Sequence, residues 1–119
     1  MLYIEDNPAN LRLIEVIVST IAKLSLISAH NAELGLIMAE EELPYLIVMD
    51  IHLPGTDGIA ATRILKSNDK TKHIPVVALT AAVMREDVER GIEAGFNTYV
   101  AKPFAIRDMI EVIKKEMQE

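Results

Sequence analysis

The sequence predicts an α/β protein, a doubly wound (βα)5 sandwich built on a parallel sheet. Three observations carry that prediction. Short apolar runs alternate five times with longer segments of helical period. The central run Tyr45–Met49 is apolar throughout, as in a strand covered on both faces. Four of the runs also end on, or within two residues of, chemically capable side chains: Glu5-Asp6, Asp50, Thr80 and Lys102-Pro103. In an open parallel sheet ligands bind beyond the carboxyl ends of the strands.

Each element follows from local chemistry. Leu2-Tyr3-Ile4 is the first strand, shorter than the usual five or so residues. Either this strand is naturally short or residues upstream of Met1 are missing from view. Asn7 caps a first helix, with Pro8 tolerated in its first turn, running to about Thr20 or Ile21. Leu24–Ala29 reads as the second strand. Asn31 caps a helix over Ala32–Glu41, which Pro44 closes. The strand Tyr45–Met49 leads through the turn Leu53-Pro54-Gly55-Thr56-Asp57-Gly58 to a helix over Gly58–Ser67, with Asp57 as its cap. Pro75 opens the fourth strand, Pro75–Leu79, where a missing N–H is tolerable. A helix over Arg85–Ala94 stops at Gly95, the strand Thr98–Ala101 follows, and Phe104–Glu116 forms the last, amphipathic helix. In the first helix Leu13, Val16 and Ile17 suit a core face. Leu11, Ile14 and Val18 then form a second stripe, either buried as well or free to dock a helix.

The 119 residues suit one domain, 1–119, with no internal linker or repeat. Its core must come from Ile, Leu, Val, Ala and Met, since there are two Phe, three Tyr and no Trp. Without cysteine there is no disulfide, thiolate nucleophile or thiolate metal site. The net charge of −6 argues against nucleic-acid binding, which demands clustered Lys and Arg. No run approaches a membrane span and the start lacks a secretory pattern, so the expected location is cytoplasmic. His30, His52 and His73 have no metal spacing and read as surface residues, and no glycine-rich nucleotide loop is present.

The strand ends suggest one chemistry. Asp50 is the candidate nucleophile, since a carboxylate can attack phosphorus and form an acyl phosphate. Alone, an aspartate there is more often a turn or a helix cap. Glu5 and Asp6 change the odds, because three carboxylates repel unless a cation joins them. Their hard oxygens suit Mg2+, with the backbone carbonyl of His52 completing the shell. Lys102 can pair with a carboxylate and then with a phosphoryl oxygen. Thr80 offers a hydroxyl, with Ala81 and Ala82 leaving space beside it.

Taken together, Glu5-Asp6-Asn7, Asp50, the loop 53–58, Thr80-Ala81, Tyr99 and Lys102-Pro103-Phe104 resemble the receiver domain of two-component response regulators. The likeness spans nearly the whole chain, and the fragments are specific only as a set. It implies a flavodoxin-like sandwich with strand order 2-1-3-4-5. It also implies a phosphorelay role in which Asp50 takes a phosphoryl group from a phosphohistidine on a kinase or phosphotransfer protein. Glu5, Asp6, Asp50 and the His52 carbonyl would bind Mg2+, while Thr80, Ala81 and Lys102 contact the phosphoryl group. A cis bond would precede Pro103. Thr80 and Tyr99 would form the switch that alters the surface of the fourth helix, fifth strand and fifth helix for a downstream output, with phosphorylation-linked homodimers one outcome. Such a domain is a phosphoacceptor rather than an enzyme in its own right. The opening resembles receivers attached to sensor kinases, so an excised hybrid-kinase receiver and a stand-alone regulator both stay open.

Two other readings compete. A haloacid-dehalogenase-like phosphatase needs a second Asp two residues after the nucleophile, and His52 stands there. A degenerate receiver that only binds partners would lack some of the required residue types, and none is missing.

Overall fold

Ten elements alternate along the chain: β1 (Leu2–Ile4), α1 (Pro8–Ser19), β2 (Ile27–Ala29), α2 (Ala32–Glu42), β3 (Ile47–Asp50), α3 (Gly58–Ser67), β4 (Val76–Thr80), α4 (Arg85–Ala94), β5 (Thr98–Ala101) and α5 (Ile106–Met117). The computed structural model describes residues 1–21, 24–53, 55, 57–80, 85–102 and 104–117, with backbone alone for 85–88. The five strands pair in parallel in the order β2-β1-β3-β4-β5, as expected.

Alternation along the strands splits the core in two. Leu2, Ile4, Ile47, Met49, Val76 and Ala78 face one side, where Ala32, Ala39, Ile59, Leu65 and Ala94 of α2, α3 and α4 meet them. Tyr3, Val48, Val77, Leu79 and Val100 face the other, against Ile14, Ile17 and Val18 of α1 and Met109 and Ile113 of α5. β1, β3 and β4 are buried on both faces, which is why they read as unbroken apolar runs.

The starts of α1, α2 and α3 are set by side-chain caps. Asn7 accepts from the Ala9 N–H at 2.9 Å, Asn31 from Leu34 at 2.8 Å and Asp57 from Ala60 at 2.8 Å. α4 stops at Gly95, whose φ of 114° lies in the region that favours glycine. α2 ends differently. Its cap is Leu43, a non-glycine residue with φ 46°.

Three expectations need correction. Tyr45 does not belong to β3: it is 81% exposed, and pairing begins at Ile47 after the buried Leu46. β2 is only Ile27–Ala29, because Leu24 and Leu26 pack into the core without joining the ladder. The core face of α1 is centred on Ile14, Ile17 and Val18, whereas Val16 is 59% exposed and Leu13 half-buried. Val16 lies about 160° round the helix from Ile14 at roughly 100° per residue. With seven apolar residues among positions 11–21, the pattern was too broad to fix the centre of the face.

Candidate functional site

Strand register assembles the site. Ile4 pairs with Met49, Asp50 with Leu79, and Thr80 with Ala101. The residues just beyond these pairs therefore meet along the carboxyl edge of the sheet. Parity decides their faces: Glu5 follows Tyr3, Asp50 follows Val48 and Lys102 follows Val100, all on the α1–α5 side. Thr80 follows Ala78, and Tyr99 pairs with Ala78, so both belong to the side that α4 covers.

The side chains converge as that placement requires. The Lys102 ammonium donates to Asp50 Oδ2 at 2.5 Å and to Glu5 Oε1 at 2.9 Å. Glu5 and Asp50 are each 5% exposed, and Thr80 is 1% exposed. Asp6 is exposed, yet ligand oxygens of Glu5, Asp6 and Asp50 lie within 4.8 Å of one another. Burial alone would lower the Lys102 pKa, but the hydrogen bonds and charges of Asp50 and Glu5 outweigh it and hold the amine above its usual range. One ammonium against three carboxylates leaves the cluster negative. Clustered hard oxygens with a residual negative charge are a donor set that fits Mg2+.

Backbone contacts hold this edge in place. The His52 N–H donates to Asp50 Oδ1 at 2.9 Å, so the two oxygens of Asp50 face different partners; the His52 ring is exposed. The Lys102 N–H donates to the Thr80 carbonyl at 2.7 Å, tying β5 to β4 where the site begins. Gly58 starts α3 directly against β3: a Cβ there would sit 2.5 Å from the Asp50 carbonyl oxygen. His30 and His73 are exposed, as expected. Ala81 and Pro103, expected at the phosphoryl group and at a cis bond, lie outside the described residues, as do Ala82, Pro54 and Thr56.

Tyr99 is half-buried. Its ring centroid lies 5.6 Å from that of Phe96, and burial raises its pKa. Its hydroxyl occupies a gap in α4, since a Cβ at Gly91 would fall 1.7 Å from it. The importance of Gly91 was not evident from sequence, because a glycine inside a helix carries no sign of its neighbour. Tyr3 and Asn10 were also missed. The Tyr3 hydroxyl donates to Glu5 Oε1 at 3.1 Å and the Asn10 amide donates to the same atom at 2.9 Å. A tyrosine in an otherwise aliphatic buried strand was the available signal, because a buried hydroxyl needs a partner.

The comparisons with known proteins agree with this geometry. Residues 1–114 match the model of the response regulator receiver domain. The chain belongs to that family. This receiver domain is thus a component of two-component phosphorelay signalling. It is 37% identical over 114 residues to the polar-differentiation response regulator DivK of Brucella anthropi, covering 96% of this chain and 92% of that protein. It also superimposes on the receiver domain of sensor histidine kinase PA1611 from Pseudomonas aeruginosa, crystallised with a magnesium ion in its active-site cleft. That match has a TM-score of 0.90 and 30% identity, over 99% of this chain and 96% of the other. A response regulator structure from Chloroflexus aurantiacus gives a TM-score of 0.92 at 27% identity, over 99% and 96% of the two chains.

Proposed function

We propose that Asp50 is the phosphoacceptor of this receiver domain and that Glu5, Asp6, Asp50 and the His52 carbonyl hold Mg2+ beside it. The observation that supports this most directly is the Lys102 ammonium bridging Asp50 and Glu5, which lie 52 and 97 residues away in sequence. A buried carboxylate held by an ammonium beside two further acids is poised to exchange one anionic partner for another.

The donor is a phosphohistidine on a kinase or phosphotransfer protein, the partner class of two-component relays. An Asp50 carboxylate oxygen attacks phosphorus as the phosphorus–nitrogen bond breaks. The electron pair leaves with the imidazole nitrogen, which is then protonated, and a mixed anhydride remains on Asp50. The His52 N–H steadies the carboxylate during attack. Lys102 transfers its hydrogen bond from Asp50 to a phosphoryl oxygen, and the Thr80 hydroxyl reaches another. Mg2+, when bound, neutralises the clustered carboxylates and the phosphoryl oxygens.

The product adds a charge of about −2 at the sheet edge. That charge favours the conformer in which Thr80 turns toward the phosphoryl group, and Tyr99 on the same face follows. The α4–β5–α5 surface then changes for a downstream protein, an attached output domain or a second phosphorylated copy. A stand-alone cytoplasmic regulator and the receiver of a hybrid kinase both fit. A phosphatase of the haloacid-dehalogenase kind does not, because position 52 carries an exposed histidine ring where that chemistry needs a carboxylate.

Incubation with acetyl phosphate and Mg2+ should add one acid- and base-labile phosphate, read by intact-mass spectrometry. Asp50→Asn should abolish it. Labelling that persists in Asp50→Asn, or the absence of labelling in the parent protein, overturns the assignment.

A further inference from the structure

The proposed site explains Glu5 as a ligand but not the three donors gathered on one of its oxygens. Oε1 accepts from the Tyr3 hydroxyl at 3.1 Å, the Asn10 amide at 2.9 Å and the Lys102 ammonium at 2.9 Å. A carboxylate oxygen offers about two lone-pair sites, so three donors fill Oε1. We infer that Tyr3 and Asn10 are positioning residues for the metal ligand Glu5, locking its carboxylate so that Oε2 is the oxygen presented to the cation. The inference rests on the reading of Glu5 as a ligand and adds what fixes its orientation.

The placement of the two donors supports this role. Tyr3 lies on β1 and Glu5 directly follows that strand, two residues on and therefore on the same face, which lets the ring run along the strand to the carboxylate. Tyr3 is fully buried among Ile14, Val48, Leu79 and their neighbours, so its ring has a fixed path. Asn10 comes from the first turn of α1, whose start is fixed by the Asn7 cap and Pro8. Two elements, β1 and α1, thus each supply a donor to Glu5, while Lys102 is the partner that can leave for a phosphoryl oxygen. When Lys102 leaves, Tyr3 and Asn10 keep the carboxylate from rotating. Groups that orient metal ligands in this way typically change affinity by about tenfold or more when removed.

The test is calorimetric titration of the whole chain with Mg2+ alone, without phosphorylation. Tyr3→Phe removes only the hydroxyl, and Asn10→Ala removes only the amide while improving helix propensity at that position. Each should raise the Mg2+ dissociation constant by about tenfold. In a Glu5→Ala background, Tyr3→Phe should have no further effect, since nothing remains to position. A purely structural hydroxyl would lower the thermal midpoint in EDTA yet leave Mg2+ affinity of the folded protein unchanged. If both variants bind Mg2+ within twofold of the parent, the inference falls while the metal site stands. If the parent shows no Mg2+ binding, or Asp50→Asn leaves affinity intact, the metal-site reading itself falls. Should Tyr3→Phe fold poorly, Asn10→Ala, at a partly exposed position, carries the test alone.

Discussion

At Gly91 two effects of a single methyl oppose each other. An alanine in a helix interior is favoured over glycine by about 1 kcal/mol. Here the added Cβ would fall 1.7 Å from the Tyr99 hydroxyl and 2.8 Å from the Phe96 ring. No small adjustment relieves the first contact, so Tyr99 must leave its gap, at a cost of about 1–3 kcal/mol for an overpacked site. Gly91→Ala is therefore expected to lower stability in urea unfolding and to increase the reactivity of Tyr99 toward nitration. A more stable variant with Tyr99 still protected would show that the gap does not hold the ring. Burial of the same hydroxyl has a pH consequence. Its folded pKa lies above the ordinary 10.0, so the associated stability is complete below that pH and is lost as pH rises through the folded value. Tyr99→Phe should flatten that part of the alkaline decline in thermal midpoint.

At the scale of the element, the sequence of α2 works against its own structure. Leu43 caps it in the left-handed region, which costs a non-glycine residue about 1–2 kcal/mol. The chain entropy that glycine adds to the unfolded state offsets about 0.4–1 kcal/mol of that. Since Leu43 is half exposed and buries little, Leu43→Gly should stabilise the domain by about 0.5–1 kcal/mol, read as a higher urea midpoint at unchanged slope. The last turn of α2 also ends in Glu40-Glu41-Glu42 with no basic residue, which places negative charge at the negative end of the helix dipole. Glu40 is paired with Lys70 at 3.3 Å, so Glu41 is the residue to change. Glu41→Lys should add about 0.3–1 kcal/mol at low salt and lose most of it near 1 M NaCl. No gain at low salt would mean the dipole term is negligible here. Elements with strong local chemistry were legible in the sequence: α3 matches its expected bounds, with Asp57 capping and Gly58 starting it. Elements defined by partners were not. Tyr45 is as apolar as a strand residue yet stands outside the ladder, and nothing local distinguishes Val16 from Ile17 in α1.

At the scale of the molecule, the site follows from the reversal in strand order. β1 leads through α1 to β2 on one side, while β3 pairs with β1 on the other, so the connections diverge at the β1–β3 boundary. Ligand crevices open where strand order reverses in this way, and Glu5 and Asp50 stand on its two sides. Those residues were legible in the sequence, because each acid or amine closes an apolar run. Their supports were not legible, since the reach from Tyr3 and Asn10 to one oxygen depends on how α1 lies over the sheet. The same topology predicts a measurable coupling between cation and fold. The carboxylates at the crevice come from the ends of β1 and β3, which meet only in the folded chain, so a cation bound there stabilises the native state. At 100 times its dissociation constant a ligand confined to the native state adds about 2.7 kcal/mol. Thermal unfolding should therefore shift upward with Mg2+ and return to the lower midpoint on adding EDTA. Screening of the −6 net charge would give a similar rise with any salt, so NaCl at matched ionic strength is the control. The rise should exceed that control in the parent chain and should fall to it in Asp50→Asn. Equal shifts with Mg2+ and NaCl would mean that the three carboxylates repel one another without holding a cation.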